Sequence, residues 1–274
     1  MRTLRNHLIL YDAECPMCQL YTNAFVSSGM MDANGREAYQ RLPEGACPLV
    51  DKQRAVNEIA LVNLETGTVT YGVDSLCTVL AHNFPLLRPV FNFGLLRWCL
   101  RKAYAFVSYN RRVIVPANGE GTYAWQPSFR LHYRLLYLLF TWLTTAAILS
   151  AYTPYMDELL PAGPWFREYL ICGAQIIFQA VVLLLVQRKK LWDYLGNMMT
   201  VSLAGGLLLL LARPVLLLFD AGAATYGIVF IGVAGLMLLE HIRRCRLLQL
   251  GWIPSFTWIV FRIGLLWMIF NGVL

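Results

Sequence analysis

Past about Arg130 the chain is built from apolar runs of roughly 20 residues, the length needed to cross ~30 Å of hydrocarbon. Five such runs can be drawn: Tyr133–Tyr152, Tyr169–Gln187, Leu195–Leu211, Ala223–Leu239 and Ile253–Val273. They predict an all-α transmembrane bundle of about five spans over 131–274. The end of the third run is set at Leu211 because Arg213-Pro214 interrupts an apolar stretch that otherwise reaches Phe219, and proline forfeits a helical hydrogen bond. Before Arg130 polar and apolar residues mix as in a soluble domain. A chain that is 58% hydrophobic and 14% charged is too greasy for one soluble globule and too charged for a wholly buried channel, so two unlike parts are expected. The soluble part is assigned to 1–112, and a linker holding Asn118-Gly119 and Gly121 to 113–130.

Loop charges give the orientation. Arg130 and Arg134, then Arg188-Lys189-Lys190, then Arg243-Arg244 with Arg246, all fall on one side of the five runs, while Asp157, Glu158 and Asp220 fall on the other. The cationic side is cytosolic by the positive-inside rule, which leaves the C-terminus outside. His7 to Tyr11 is too short for the core of a secretion signal, so the first part is expected to stay in the cytosol, at a bacterial inner membrane. The net charge of +7 is concentrated between Arg88 and Arg112, where Arg88, Arg97, Arg101, Lys102, Arg111 and Arg112 interleave with Phe91, Phe93, Trp98, Tyr104 and Phe106. Arg97, Arg101, Lys102, Arg111 and Arg112 are accordingly read as a membrane-surface set on an amphipathic helix. Lipid, not nucleic acid, is the nearer polyanion.

In the first part His7–Tyr11 reads as a short buried strand, Cys15 to Phe25 as a helix, and Ala38 to Leu42 as a second strand. Ile59–Leu64 and Thr68–Tyr71 flank Glu65-Thr66-Gly67 as a hairpin, and Asp74 or Ser75 is the expected cap of the next helix. The α/β order is strand, helix, strand, hairpin, helix.

The chemistry sits at the first strand-to-helix junction. The seven cysteines are an odd number, and only Cys15 and Cys18 are close in sequence, so no disulfide framework is implied. In a reducing cytosol a disulfide between them is transient. Pro16 suits a first-turn position, where no amide donor is needed. Cys15 at the helix start then meets free amides and the positive end of the helix dipole, which favour its thiolate, while Cys18 lies one turn inside. Cys15 is the candidate attacking thiol and Cys18 the resolving one. Asp12 is the candidate acceptor of the Cys18 proton, although Asp12 and Glu14 also place negative charge near Cys15 and oppose ionisation there. Such a pair also binds zinc or Cu(I). A structural zinc takes four ligands, and Cys47, Cys77, His7 and His82 offer no second close pair, so redox chemistry is the preferred reading, with no metal and no cofactor required. Cys77 and Cys99 read as structural, and so does Cys47 unless it serves as a third redox thiol.

Tyr11-Asp12-Ala13-Glu14-Cys15-Pro16-Met17-Cys18 resembles the signature of the DCC family of predicted thiol-disulfide oxidoreductases, named for an Asp and two Cys at this spacing. The resemblance covers roughly the first 112 residues, through Val73-Asp74-Ser75 and into Asn110-Arg111. It implies a thioredoxin-like fold with Cys15 and Cys18 as the active dithiol. Ala13 stands where the family often has Gly, and Tyr109 where an Arg commonly precedes the Asn. No Pro precedes Ile59, where ordinary thioredoxins place a cis-proline.

The spans carry no cysteine pair for transmembrane dithiol relay, only Cys172 and Cys245, and His132 and His241 read as interfacial. Arg262 falls near the middle of the fifth run and is a site candidate by default, against snorkelling or pairing with an acid such as Glu240. The expected activity is that of a membrane-tethered cytosolic thiol-disulfide oxidoreductase. Its partners would be a protein or small-molecule disulfide, a cellular thiol reductant and membrane lipid. The alternative is a non-enzymatic transporter or scaffold whose dithiol senses redox state or passes a soft metal. The Met-x-Cys-x-x-Cys pattern of copper carriers is absent, because Ala13 occupies the Met position.

Overall fold

A computed structural model describes residues 2–41, 50–116 and 128–273. The chain divides into two compact units, Met1–Tyr133 and Arg134–Leu274. The predicted linker 113–130 lies largely outside the described residues. On either side of the gap, α5 (Gly94–Ile114) runs past 112, and Ser128 and Tyr133 still bond within the first unit, to Asn57 and Asn110.

The first unit runs β1 (His7–Tyr11), α1 (Pro16–Ser27), β2 (Arg36–Ala38), α2 (Lys52–Asn57), β3 (Ala60–Asn63), β4 (Val69–Tyr71), α3 (Val73–Asn83), α4 (Arg88–Asn92) and α5. Its mixed sheet has the order β2-β1-β3-β4, with β2 parallel to β1 and β3 antiparallel to both its neighbours. β1 is central and alternates between two cores: Ile9 packs with Leu4, Met31, Ile59, Leu61 and Val79, and Leu10 with Ala55, Ala60 and Val62. A slip of one residue would exchange these faces, and that fixes the register opposite β3 and the point where the chain leaves β1 toward Cys15.

β2 is displaced from its expected span. It lies at Arg36–Ala38 and passes into a single turn of 3₁₀ helix at Tyr39–Arg41, while residues 42–49 lie outside the described set. The hairpin is where it was expected, with Asn63 Oδ1 accepting from the Glu65 and Thr66 amides at 2.9 and 3.2 Å. α3 starts at Val73, so neither Asp74 nor Ser75 caps it. Gly72 takes the capping position at φ +64°, where a Cβ would lie 3.1 Å from Glu58 Oε2 and 3.3 Å from Tyr104 Cε1.

The second unit contains α6 from Arg134 to Tyr152 (the helix opens at Leu131), α7 (Arg167–Val186), α8 (Leu191–Leu218), α9 (Ala223–Leu247) and α10 (Ile253–Phe270). Among the described residues five helices are long and apolar enough to cross a membrane. Leu185, Ile228 and Ile231 are among the apolar side chains they expose, a surface that suits lipid. The chain is thus an integral membrane protein by the length and composition of its helices.

The expected end of the third span at Leu211 is corrected: α8 continues through Pro214 to Leu218. One forfeited hydrogen bond does not end a helix held by its neighbours. Here Arg213 donates to the Tyr155 hydroxyl at 2.8 Å and lies over its ring, which anchors the turns around the proline. At one end of the bundle Arg134 donates to the Trp192 carbonyl at 2.6 Å, and Lys190 to the Leu248 carbonyl at 2.7 Å. Those bonds gather the start of α6, the α7–α8 turn and the α9–α10 turn at the same end.

Candidate active site

β1 ends at Tyr11 and the chain turns through Asp12, Ala13 and Glu14, held by the Cys15 amide donating to the Asp12 carbonyl at 3.1 Å. Cys15 is the N-cap of α1 and Pro16 its first residue, as the sequence pattern predicts. The Cys15 Sγ accepts the Cys18 backbone N–H at 3.3 Å, the role a serine or aspartate oxygen fills at other helix starts. Both thiols are free and buried, Cys15 being 2% and Cys18 6% exposed.

The charges around this junction decide which thiol ionises. Asp12 is 3% exposed and fully engaged: Oδ1 accepts from Gln40 Nε2 at 2.7 Å and from the Glu14 amide at 3.0 Å, and Oδ2 from Arg111 Nη2 at 2.7 Å. Arg112 bonds Glu14 at 3.1 Å. The two acids that oppose a thiolate are therefore each answered by an arginine from the end of α5. Cys15 is lowered from 9.0 to about 7, chiefly because the Cys18 thiol donates to it. Burial opposes this, and the Arg111 charge and the Cys18 amide reinforce it. Cys18 shifts far upward, because it is the donor in that bond and because it is buried. One thiol is poised near neutrality and the other holds its proton, an asymmetry suited to thiol–disulfide exchange.

Asp12 makes no hydrogen bond with Cys18 among the described residues. Its carboxylate anchors Arg111 and the turn, which departs from its expected role as acceptor of the Cys18 proton. Arg111 also leaves the membrane-surface set. Its guanidinium donates to the Val56 carbonyl at 2.8 Å as well as to Asp12 and is buried beneath the dithiol, which makes it part of the site. Arg97 and Arg101 remain exposed but converge on Asp74 at 2.8 and 2.7 Å. Burial raises the Asp74 carboxyl, and the two arginines outweigh it, so its pKa falls below the ordinary value. Lys102 lies over the exposed Trp98 ring, 5.8 Å from its centroid.

Gln40 was not singled out from the sequence, yet it bridges the Asp12 carboxylate and the Ala13 amide (3.0 Å). Nothing local announces it. Among the described residues no three His, Cys, Asp or Glu side chains gather as a metal would require. Cys77 and Cys99 lie away from the dithiol, on α3 and α5, and Cys47 is outside the described residues.

In the membrane unit, His241 is corrected from interfacial to buried. It faces the Tyr194 hydroxyl at 3.1 Å and Ser255 Oγ at 3.2 Å and stacks on Trp258. Glu240 is not the partner of Arg262, because it bonds Arg243 and Arg244, both at 2.7 Å.

Comparison with protein-family models, with curated proteins and with solved structures found no match.

Proposed function

We propose that the chain is a membrane-tethered cytosolic thiol-disulfide oxidoreductase. The observation that carries this reading is the Cys15 Sγ at the N-cap of α1, accepting the Cys18 amide, with the Arg111 charge behind it. The order of strand, helix, strand, hairpin and helix, with the dithiol at the first junction, supports a thioredoxin-like fold, and the Asp12–Cys15–Cys18 spacing supports membership of the DCC family. Asp12 anchoring Arg111 beneath the pair gives that spacing a physical reason.

The Cys15 thiolate attacks a disulfide, forming a mixed disulfide and expelling the first thiolate of the substrate. Cys18 then gives up its proton to the first departing substrate thiolate and attacks the Cys15 sulfur, breaking the mixed disulfide, closing the ring and expelling the second thiolate. The substrate gains two electrons, and two equivalents of a cellular thiol, oxidised to their own disulfide, return two electrons and two protons to the Cys15–Cys18 pair. With Cys15 only 2% exposed, the site favours a small-molecule disulfide, or a protein one admitted by local opening. The same burial favours a second reading, a dithiol that senses redox state without turnover. On this reading the positive-inside rule turns the cationic bundle end to the cytosol of a bacterial cell, with the N-terminal unit on the cytosolic side of the inner membrane and the C-terminus outside. Trp98 and Lys102, beside exposed Phe93 and Leu95, supply the lipid contact.

Disulfide reduction by the purified protein tests the reading. Cys15→Ser is expected to abolish turnover, and Cys18→Ser to accumulate a mixed disulfide with substrate, visible by mass spectrometry. Full activity in both variants, or a wild type that reduces no disulfide, overturns the enzyme and leaves the sensor.

A further inference from the structure

The bundle of the second unit holds a cavity of about 50 Å³ to which all five helices contribute, through Thr145, Gln175, Ser202, Met237 and Arg262 among others. Arg262 is the tenth of the 18 residues of α10 and so lies half-way along its span. A charge at that depth is costly and marks a site unless it is paired. Its surroundings pair it incompletely. The guanidinium lies 3.8 Å from the centroid of the Trp258 ring, and Nη2 reaches the Gln175 carbonyl oxygen at 3.4 Å. Among the described residues no carboxylate bonds it, and none lines the cavity.

Three buried polar atoms of cavity-lining residues lack a hydrogen-bond partner: Arg262 Nε, Gln175 Nε2 and Thr145 Oγ1. The first two only donate, since the Gln175 oxygen is already turned to Arg262, and a hydroxyl can donate. Burying such donors unpaired is unfavourable, and burying the charge unpaired far more so. Water fits the volume, at roughly 10–15 Å³ for each molecule, but it leaves the charge in a medium of low dielectric. A small anion answers the charge, and a small rotation of the lining side chains turns the donors to it.

We propose that this cavity is a binding site for a small monovalent anion, a halide or a short carboxylate. Arg262 supplies the charge, Gln175 and Thr145 orient the ligand, and the Trp258 ring holds the guanidinium in place.

The test uses the full chain in lipid nanodiscs. Unfolding is followed as sodium gluconate, too large for the cavity, is replaced by chloride, bromide or formate at constant ionic strength. The wild type is expected to show a saturable rise in Tm with at least one of these small anions. Arg262→Gln should remove the saturable rise. Gln175→Glu places a carboxylate of the protein beside Arg262, and is expected to stay folded, to be more stable than the wild type in gluconate, and to lose the response. If Arg262→Gln does not fold, Gln175→Glu decides the matter. A wild type with no saturable response to any of the three anions, or a Gln175→Glu variant that responds like the wild type, overturns the site.

Discussion

Arg111 and Asp12 are 99 residues apart in sequence and 2.7 Å apart in the fold, and their pair governs the thiol above them. With Cys15 at about 7, the rate of attack on a disulfide should climb with pH up to about 7 and level off above it. In Arg111→Met the midpoint should move up toward 9.0, because a cation that favours the thiolate is gone; a profile with a midpoint near 9.0 already in the wild type would remove the assigned role of the helix start and Arg111. The same shift makes stability depend on pH. The folded Cys15 releases its proton at lower pH than the unfolded chain, so its contribution is complete above 9.0 and is lost as pH falls through about 7. Cys18 has the opposite sign: it keeps its proton in the fold, so stability falls once the unfolded thiol ionises above 9.0. Unfolding of the reduced protein by denaturant should therefore show stability rising between 7 and 9 and declining beyond. Removing Arg111 alone should also cost ~3–5 kcal/mol, because it strands a buried carboxylate.

At the scale of the element, α5 has two faces with separate tasks. Arg97, Arg101, Tyr104, Ser108 and Arg111 recur at alternating steps of four and three, one stripe of a helix. Every one of them docks: on Asp74 twice, on the Ile59 amide, on the Asn57 carbonyl and on Asp12. Another face exposes Leu95, Lys102 and Trp98, the last at 58%. In a fragment of residues 1–133, Tyr104→Phe leaves the Ile59 amide unpaired and should lower unfolding stability by ~1–3 kcal/mol while vesicle flotation is unchanged. Trp98→Ser should do the reverse, weakening flotation with anionic vesicles and sparing stability. Loss of both properties in either variant would show that the faces are not separate. The basic stretch was legible in the sequence as an amphipathic helix. Which of its cations face inward was encoded in the same stripe, but the acids that claim them, Asp12 and Asp74, lie far away in sequence.

For the whole molecule, an odd number of spans and one cationic end make a topological statement. A reporter active only in the cytosol should work at the N-terminus and be silent when fused after Leu274. Activity at the C-terminus would require an even number of crossings, with one of the five helices failing to span. Pro214 is the natural point of doubt in a sequence, because proline removes a hydrogen bond wherever it stands. Whether the helix survives depends on what its neighbours offer, and Tyr155 comes from the segment after α6, 58 residues from Arg213.

Local chemistry by itself determined the five apolar helices, the strand preceding a helix that opens at Cys15-Pro16, and the hairpin at Asn63, because span length, proline at a helix start and turn residues act within a few positions of the chain. Tertiary structure alone decided that Arg111 answers Asp12, that Gln40 braces the turn, that His241 is buried and that Arg262 faces a cavity and not Glu240. Burial and pairing of charge depend on distance in space, and the residues involved lie from 14 to 99 positions apart.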